Sequence, residues 1–327
     1  MPEPVTIWVV SDGRAGIENQ ALGLAEAVGR ITPAKIVIKR IRYARLFDRL
    51  PTTLKLFPDA MLRQDSDPLT APYPDIWIAA GRATLPHSLR IKARSGGKTF
   101  VVQLQDPKHD PKAFDLVIAP EHDHVSGANV LSLIGSTNRI TAKTLADAYM
   151  GWEDRLSPLP HPRVAVLVGG RSKAYDIDEA HASILAAEIH SAITNACGSV
   201  LLTVSRRTPD TARRILTDAL ADLPGLIFDG QGENPYFAFL RAADRFLITE
   251  DSVNMATEAA ATGKPIQILS MERRTLGSGE KFEEFHETLR AKGITHPFNA
   301  TLSGEAYPPL DETARAAQHL LDAYHKK

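Results

Sequence analysis

Residues 243 to 266 read Ala-Asp-Arg-Phe-Leu-Ile-Thr-Glu-Asp-Ser-Val-Asn-Met-Ala-Thr-Glu-Ala-Ala-Ala-Thr-Gly-Lys-Pro-Ile, and the order of residue types in them decides the fold. Arg245–Thr249 is a short apolar run of the kind that forms a buried strand. Glu250-Asp251-Ser252 breaks it, and Val253–Thr262, rich in Ala, Met and Glu, predicts a helix. Gly263 supplies a helix stop, and Pro265 prevents continuation before a second apolar run, Ile266–Leu269. The order places the backbone N–H groups of Ser252, Val253 and Asn254 at the carboxyl edge of a sheet. The positive end of the helix dipole points the same way. Such a start can hold a phosphate. Simple capping of the helix by Asp251 or Ser252 explains the same residues and is compatible with a ligand.

Around this stretch the chain repeats one pattern. Thr6–Val10 is a strand, Ser11-Asp12-Gly13-Arg14-Ala15-Gly16 a turn, and Ile17–Val28 a helix. Strands follow at Ala34–Ile41, Asp75–Ala80, Thr99–Leu104, Leu116–Ala119 and Val130–Leu133, with a helix over Ala83–Arg94. After a helix at Ile140–Trp152 comes Ser157-Pro158-Leu159-Pro160-His161-Pro162, a stiff connector that marks a domain boundary. The pattern then restarts with strands at Arg163–Val168, Val200–Val204 and Leu226–Phe228 and helices over Asp178–Ala196 and Asp210–Leu220. Phe237–Ala243 leads into the opening stretch; Gly277-Ser278-Gly279-Glu280 precedes a helix through Leu289, and Asp311–His325 is the final helix. The predicted class is therefore α/β: two Rossmann-like domains, residues 1–158 and 159–327, with parallel sheets flanked by helices.

Composition narrows the function. A chain of 327 residues exceeds the size at which one core stops growing, and 43% hydrophobic with 24% charged residues is that of an ordinary soluble protein. A net charge of -1 argues against a dedicated nucleic-acid binder. The single cysteine, Cys197, allows no intrachain disulfide and no multi-cysteine metal site; at the end of a helical run it reads as a small buried residue. The amino terminus runs straight into a strand without the pattern of a signal or transit segment, and the expected location is cytoplasmic. No run approaches the roughly 20 apolar residues of a membrane span. Residues 41–62 are basic and partly apolar. Arg40, Arg42, Arg45, Arg49, Lys55 and Arg63 beside Leu46, Phe47, Leu50, Leu54 and Phe57 form either a solvated face with an apolar underside, the favoured reading, or a peripheral membrane contact.

In open parallel sheets, ligands sit beyond the carboxyl ends of the strands. In the second half those ends offer Gly169, Gly170 and Arg171; Ser205, Arg206 and Arg207; Asn234 and Tyr236; and Asp251, Ser252, Val253 and Asn254, with Glu258 one helix turn on. Close-approach glycines, guanidinium groups and helix amides suit a nucleoside diphosphate. Singly, each residue has a plainer role: the glycines in a tight turn, the arginines in surface pairs. Glu250 and Asp251 oppose an anion by like charge unless they cap the helix. Jointly, four polar strand ends point to a binding cleft. In the first half, Asp12, Gly13, Arg14, Gly16, Gln20, Gly81, Arg82 and Gln105 occupy the corresponding edge. The turn after the first strand lacks the third glycine of a dinucleotide fingerprint, so no nicotinamide cofactor is expected. His122-Asp123-His124 lacks a third ligand and reads as a solvated loop rather than a metal site.

Several separated motifs carry a resemblance. Thr-Glu-Asp-Ser-Val-Asn-Met-x-x-Glu-Ala followed by Thr-Gly-Lys-Pro looks like the donor-site helix of two-domain GT-B glycosyltransferases. Together with Gly-Arg-Ala-Gly-x-x-x-Gln, Ser-Arg-Arg-Thr-Pro and Asn-Pro-Tyr, it is similar to the bacterial relatives of the plant "elongated mitochondria" fission proteins, over nearly the whole chain. The resemblance implies a GT-B architecture, two lobes facing across a cleft, with the last helix packed back on the first domain. It implies a nucleotide-sugar in the second domain, its ribose on Glu258, and an unidentified acceptor on the first. A transferase of this fold needs a base, and Asp12 is the first candidate, ahead of His87, His109, His122 and His124. It implies no metal, since the helix dipole and arginines can stabilise a leaving diphosphate. The family's plant members imply a different role, a non-catalytic adaptor that recruits a dynamin-type partner to a membrane surface. Nucleotide-sugar 2-epimerases share the architecture as well.

Overall fold

The computed structural model describes residues 3–44, 47, 55, 57–274 and 279–327. The chain divides into two compact units, one of Met1–Arg139 with Asp311–Lys327, the other Ile140–Leu310. Each is built on a six-stranded parallel sheet. Helix Ala142–Met150, which the sequence reading places before the connector, belongs to the second unit, and the carboxyl-terminal helix belongs to the first.

In the first unit the strands are β1 (Val5–Ser11), β2 (Ala34–Arg40), β3 (Ile76–Ala80), β4 (Phe100–Leu104), β5 (Leu116–Pro120) and β6 (Val130–Leu133), arranged β2-β1-β3-β4-β5-β6. Alternate residues of these strands feed opposite faces, as a pleated sheet requires. Ile7, Val9, Ile76, Ile78 and Val102 pack against Leu24 and Val28 of α1 (Ala15–Ile31). Trp8, Val10, Trp77 and Val101 pack on the other face with Leu85 and Ile91 of α2 (Leu85–Arg94). Ala316, Ala317, Leu320 and Leu321 of the last helix, Glu312–His325, complete the α1 side. Both faces of the central strands are covered, which explains why β3 and β5 read as apolar runs, whereas the edge strand β2 carries Lys35, Lys39 and Arg40.

In the second unit β7 (Arg163–Val168), β9 (Ser199–Val204), β10 (Gly225–Phe228), β11 (Arg245–Thr249), β12 (Ile266–Leu269) and β14 (Thr295–Pro297) lie in the order β10-β9-β7-β11-β12-β14. Counted within this unit, that is 3-2-1-4-5-6, the doubly wound order. A separate two-stranded antiparallel pair joins β8 (Tyr175–Asp176) to β13 (Glu272–Arg273). The strand order reverses between β7 and β11, which are hydrogen-bonded neighbours. In the first unit it reverses between β1 and β3. These are the two places where diverging loops open a crevice at a sheet edge.

Two expectations need correction. Cys197 is exposed, not buried. It follows the end of helix Glu179–Asn195 with a φ of 51°, while its N–H reaches Thr194 O and that of Gly198 reaches Ile193 O. This Schellman-type ending turns the residue out to solvent. Lys55 is also not on a solvated face: it is buried with its ammonium 4.0 Å over the Tyr43 ring. Of the other residues in that basic face, Arg45, Leu46, Arg49, Leu50 and Leu54 lie outside the described residues. Arg40 pairs with Glu18, and Arg42 and Arg63 share Asp65. No helix among the described residues is long and apolar enough to cross a membrane.

Candidate functional site

At the β7–β11 crevice the structure gathers a set of residues that the sequence left in separate loops. Thr249, the last residue of β11, accepts the Gly169 N–H at 2.7 Å and donates its hydroxyl to Asp251 Oδ1 at 2.7 Å. Asp251 Oδ2 accepts the Gly170 N–H at 3.0 Å and a guanidinium N–H of Arg207 at 2.8 Å. The Asp251 side chain is wholly buried. Its charge is therefore matched by one cation and two neutral donors, as a buried carboxylate requires. Gly169 and Gly170 are dictated by this packing. A Cβ on Gly169 would lie 1.9 Å from Asp251 Oδ1, and one on Gly170 would lie 2.4 Å from the Arg207 backbone. Ser205 and Thr208 both donate their hydroxyls to Gly169 O, and the Arg171 N–H reaches Arg207 O at 2.9 Å. The ends of β7, β9 and β11 are thereby sewn into one rigid edge.

This arrangement removes the like-charge objection to an anion. Neither Glu250 nor Asp251 caps the following helix, α8 (Val253–Ala260; the helices between α2 and α8 are Ala142–Met150, Glu153–Leu156, Glu179–Asn195, Asp210–Ala219 and Tyr236–Ala242). Ser252 is the cap, its hydroxyl accepting from Met255 N at 3.4 Å. Glu250 turns away from the helix start, taking the Met271 N–H, and burial raises its pKa. The Val253 N–H opens the first turn, which a helix cannot satisfy internally, and Asn254 follows it. Arg207, paired with Asp251 two residues before the helix, has a side chain 45% exposed. Arg206 is exposed and makes no ion pair among the described residues, whereas Arg171 is held by Asp176 at 2.9 Å.

A second cluster lies farther along α8. Glu258 is buried and accepts the Tyr236 hydroxyl at 2.6 Å. Burial pushes its pKa up to about 7, against the opposing pull of the Tyr236 bond. Burial, reinforced by the Glu258 charge, drives the Tyr236 phenol well above its ordinary value. Asn234 is exposed and its side-chain oxygen accepts from Tyr236 N at 3.0 Å, fixing the start of helix Tyr236–Ala242. One ring and one carboxyl thus form a closed pair at the position expected to meet a ribose.

The first unit's predicted residues also share one edge. Asp12 accepts from Arg14 N at 3.1 Å and Arg14 Nε at 2.7 Å. The Gly13 N–H reaches Ser11 Oγ at 3.1 Å, Ser11 donates to Glu18 at 2.9 Å, and Glu18 holds the Arg40 guanidinium at 2.7 Å. The Arg40 contact holds the Glu18 carboxyl below its usual range. Gly16 lies in the first turn of α1, a helix that begins without a side-chain cap. Gly81 ends the β3 run beside Ile17, and Gln105, at the end of β4, donates to Gln20 Oε1 at 3.0 Å. Arg82 is exposed. His122 and Asp123 lie in a short 3-10 turn in which His122 is buried rather than solvated as expected, and no group of three or more metal-binding side chains occurs among the described residues.

Residues the sequence reading missed are the ones that hold the others. Thr249 and Thr208 read only as strand-end and turn residues. Arg213 sits in a helix, yet reaches Ser205 O at 3.2 Å and Asp229 O at 3.3 Å and so joins the loops after β9 and β10. Its only signal was a guanidinium one helical turn after a Thr-Pro helix start.

Comparison with known proteins adds the family. A family model described as mitochondrial fission ELM1 matches residues 15–324. The Arabidopsis thaliana mitochondrial fission protein ELM1 is 31% identical over 279 residues, 76% of this chain. The match spans 63% of the plant protein's length. Among solved structures, the UDP-GlcNAc 2-epimerase of Methanocaldococcus jannaschii in complex with UDP-GlcNAc and UDP superposes with a TM-score of 0.56 at 12% identity, covering 99% of this chain and 100% of that one. Acinetobacter baumannii MurG gives a TM-score of 0.50 at 14% identity, again over 99% and 100%. At such identities the likeness establishes the fold, which is that of GT-B glycosyltransferases and UDP-GlcNAc epimerases.

Proposed function

The chain belongs to the mitochondrial fission ELM1 family, and from that premise we propose that its second unit binds a nucleotide-sugar through the nucleoside diphosphate. The phosphates lie against the amino end of α8 at Val253, with Arg207 and Arg206 as cations. The ribose lies against Glu258, which exchanges its Tyr236 bond for sugar hydroxyls. The observation that carries this reading is the rigid edge at the strand-order reversal. Asp251 is neutralised inside it, so the helix start faces outward without an opposing charge. The epimerase of the same fold, solved with UDP-GlcNAc and UDP, supports the ligand class. Glycosyl transfer, with Asp12 as base, is the activity proposed for the bound donor.

A second reading, a non-catalytic adaptor at a membrane surface, is favoured by one observation. Asp12, the first candidate for a base, is held by Arg14 through both its backbone N–H and its guanidinium. Calorimetry with nucleoside mono- and diphosphates and their sugar conjugates separates the two readings. The first expects saturable binding of a diphosphate that Ser252→Asp and Arg206→Ala abolish. No heat with any nucleotide, together with vesicle binding, replaces it by the second.

A further inference from the structure

The opposite edge of the second sheet carries a separate cavity. It measures about 410 Å³ and is lined by Tyr149, His161, Arg163, Arg241, Asp244 and Lys264, together with Ala242 and Ala243. Arg163 opens β7, Asp244 directly precedes β11, and Lys264 precedes β12 by two residues. The cavity is thus at the amino ends of the strands, whereas the nucleotide site proposed above is at their carboxyl ends. Its volume is that of a pocket for a small ligand.

Its charge is unbalanced. Asp244 is the only carboxylate in the lining, and its Oδ2 already takes His161 Nδ1 at 2.6 Å and the Arg163 N–H at 2.6 Å. Arg163 gives Nε to Leu159 O at 3.2 Å and one terminal nitrogen to Ser157 O at 2.8 Å, both neutral acceptors. Lys264 donates to the carbonyls of Leu240, Arg241 and Ala243 at 3.0, 2.8 and 2.6 Å, closing the end of helix Tyr236–Ala242. These carbonyls fix the ammonium at the cavity wall without neutralising it. Arg241 is exposed and makes no ion pair among the described residues. Burial, and then the Arg241 charge, lowers the Lys264 pKa to about 8. Two guanidiniums and an ammonium therefore share one cavity with one committed carboxylate.

We propose that this cavity is a binding site for a phosphate-class anion, with Arg241 and Arg163 as its direct ligands and Lys264 as a fixed charge behind them. A phosphoryl group offers these guanidiniums an anionic partner, and its charge relieves the Arg241–Lys264 repulsion. The phosphoryl group can be free or borne on a lipid headgroup, and the chemistry is the same for both.

The full chain is titrated with inorganic phosphate and with glycerol phosphate at constant ionic strength, followed by amide NMR shifts. Saturable shifts at Arg241, Asp244 and Lys264 are expected. Arg241→Glu, at an exposed position, weakens them by about tenfold or more, the size of one charge-assisted contact. Arg206→Ala, an exposed position at the other edge of the sheet, leaves them unchanged, so failure here and failure at the nucleotide site are told apart. Sedimentation with vesicles containing an anionic phospholipid identifies the source. Phosphate-competed vesicle binding supports a headgroup, and phosphate binding without it supports a free anion. Shifts that do not saturate, that sodium chloride reproduces, or that survive Arg241→Glu overturn the proposal.

Discussion

Asp251 and Gly170 are joined by a hydrogen bond of 3.0 Å from the Gly170 N–H to a carboxylate with no exposed surface, and the same carboxylate oxygen holds Arg207. A charge buried at the point where strand order reverses links two strand ends and orients a half-exposed cation. Most of what can be tested about this protein follows from that arrangement.

Asp251→Asn keeps the shape but leaves the Arg207 guanidinium facing an amide. Breaking a buried pair on one side costs about 3–5 kcal/mol. Because Arg207 is 45% exposed and water can solvate it, the lower end is expected. Arg207→Ala strands the carboxylate instead and costs at least as much. In a double-mutant cycle read by urea unfolding, the two changes should couple by more than about 1 kcal/mol. Strict additivity would show that the pair contributes nothing.

Gly169→Ala tests the same edge sterically. The new methyl would stand 1.9 Å from Asp251 Oδ1, and the buried carboxylate is fixed by its bonds to Gly170, Thr249 and Arg207. Overpacking of this kind costs about 1–3 kcal/mol, and it displaces Asp251 as well. Gly151→Ala, where a Cβ meets nothing within 4 Å, is the control and should change stability by less than about 0.5 kcal/mol. Equal effects at the two sites would contradict the close approach.

The sequence showed the strands well because the central strands are covered on both faces, so Val164–Val168 and Phe246–Ile248 are apolar throughout. It missed β14 and the β8–β13 pair for the opposite reason. Of Thr295–Pro297 only Thr295 is buried, and two-residue strands leave no periodicity to read. The residue types at the candidate site were legible as strand-end motifs. Their directions were not, because whether Asp251 points at a ligand or at Gly170 depends on the register between β7 and β11. Likewise nothing local in Tyr236 or Glu258 announces a hydroxyl–carboxylate pair 22 residues apart in the chain.

Glu258 should give stability a measurable pH dependence. Its carboxyl titrates near 7 in the folded chain against an ordinary value of 4.5. Between those values the native state holds a proton the unfolded state has released. The contribution is therefore full below 4.5 and is lost as pH rises through 7, on the order of 3 kcal/mol in all. His87, which burial holds down to about 4, acts in the reverse sense, losing stability as pH falls through that value. The wild-type curve alone mixes the two. The difference between wild type and Glu258→Gln isolates the carboxyl, and wild type should lose ground steadily from pH 4.5 to 7. A flat difference would falsify the buried pair.

Gly23 offers a test in the first unit. It faces the backbone of Asn138, where an added Cβ would lie 2.2 Å from the carbonyl oxygen. That same residue is tied to the carboxyl-terminal helix, its N–H donating to Thr313 Oγ1 at 3.0 Å. Gly23→Ala raises helix propensity by up to about 1 kcal/mol and should stabilise α1 if the helix were free. Here the methyl must push residue 138 away from α1, which loosens the Thr313 bond and the packing of Leu320 against Leu24 and Val28. The expected result is a net loss of about 1–3 kcal/mol, with faster amide hydrogen exchange in both α1 and the last helix. Faster exchange in α1 alone would mean that the segment at residue 138 does not connect them.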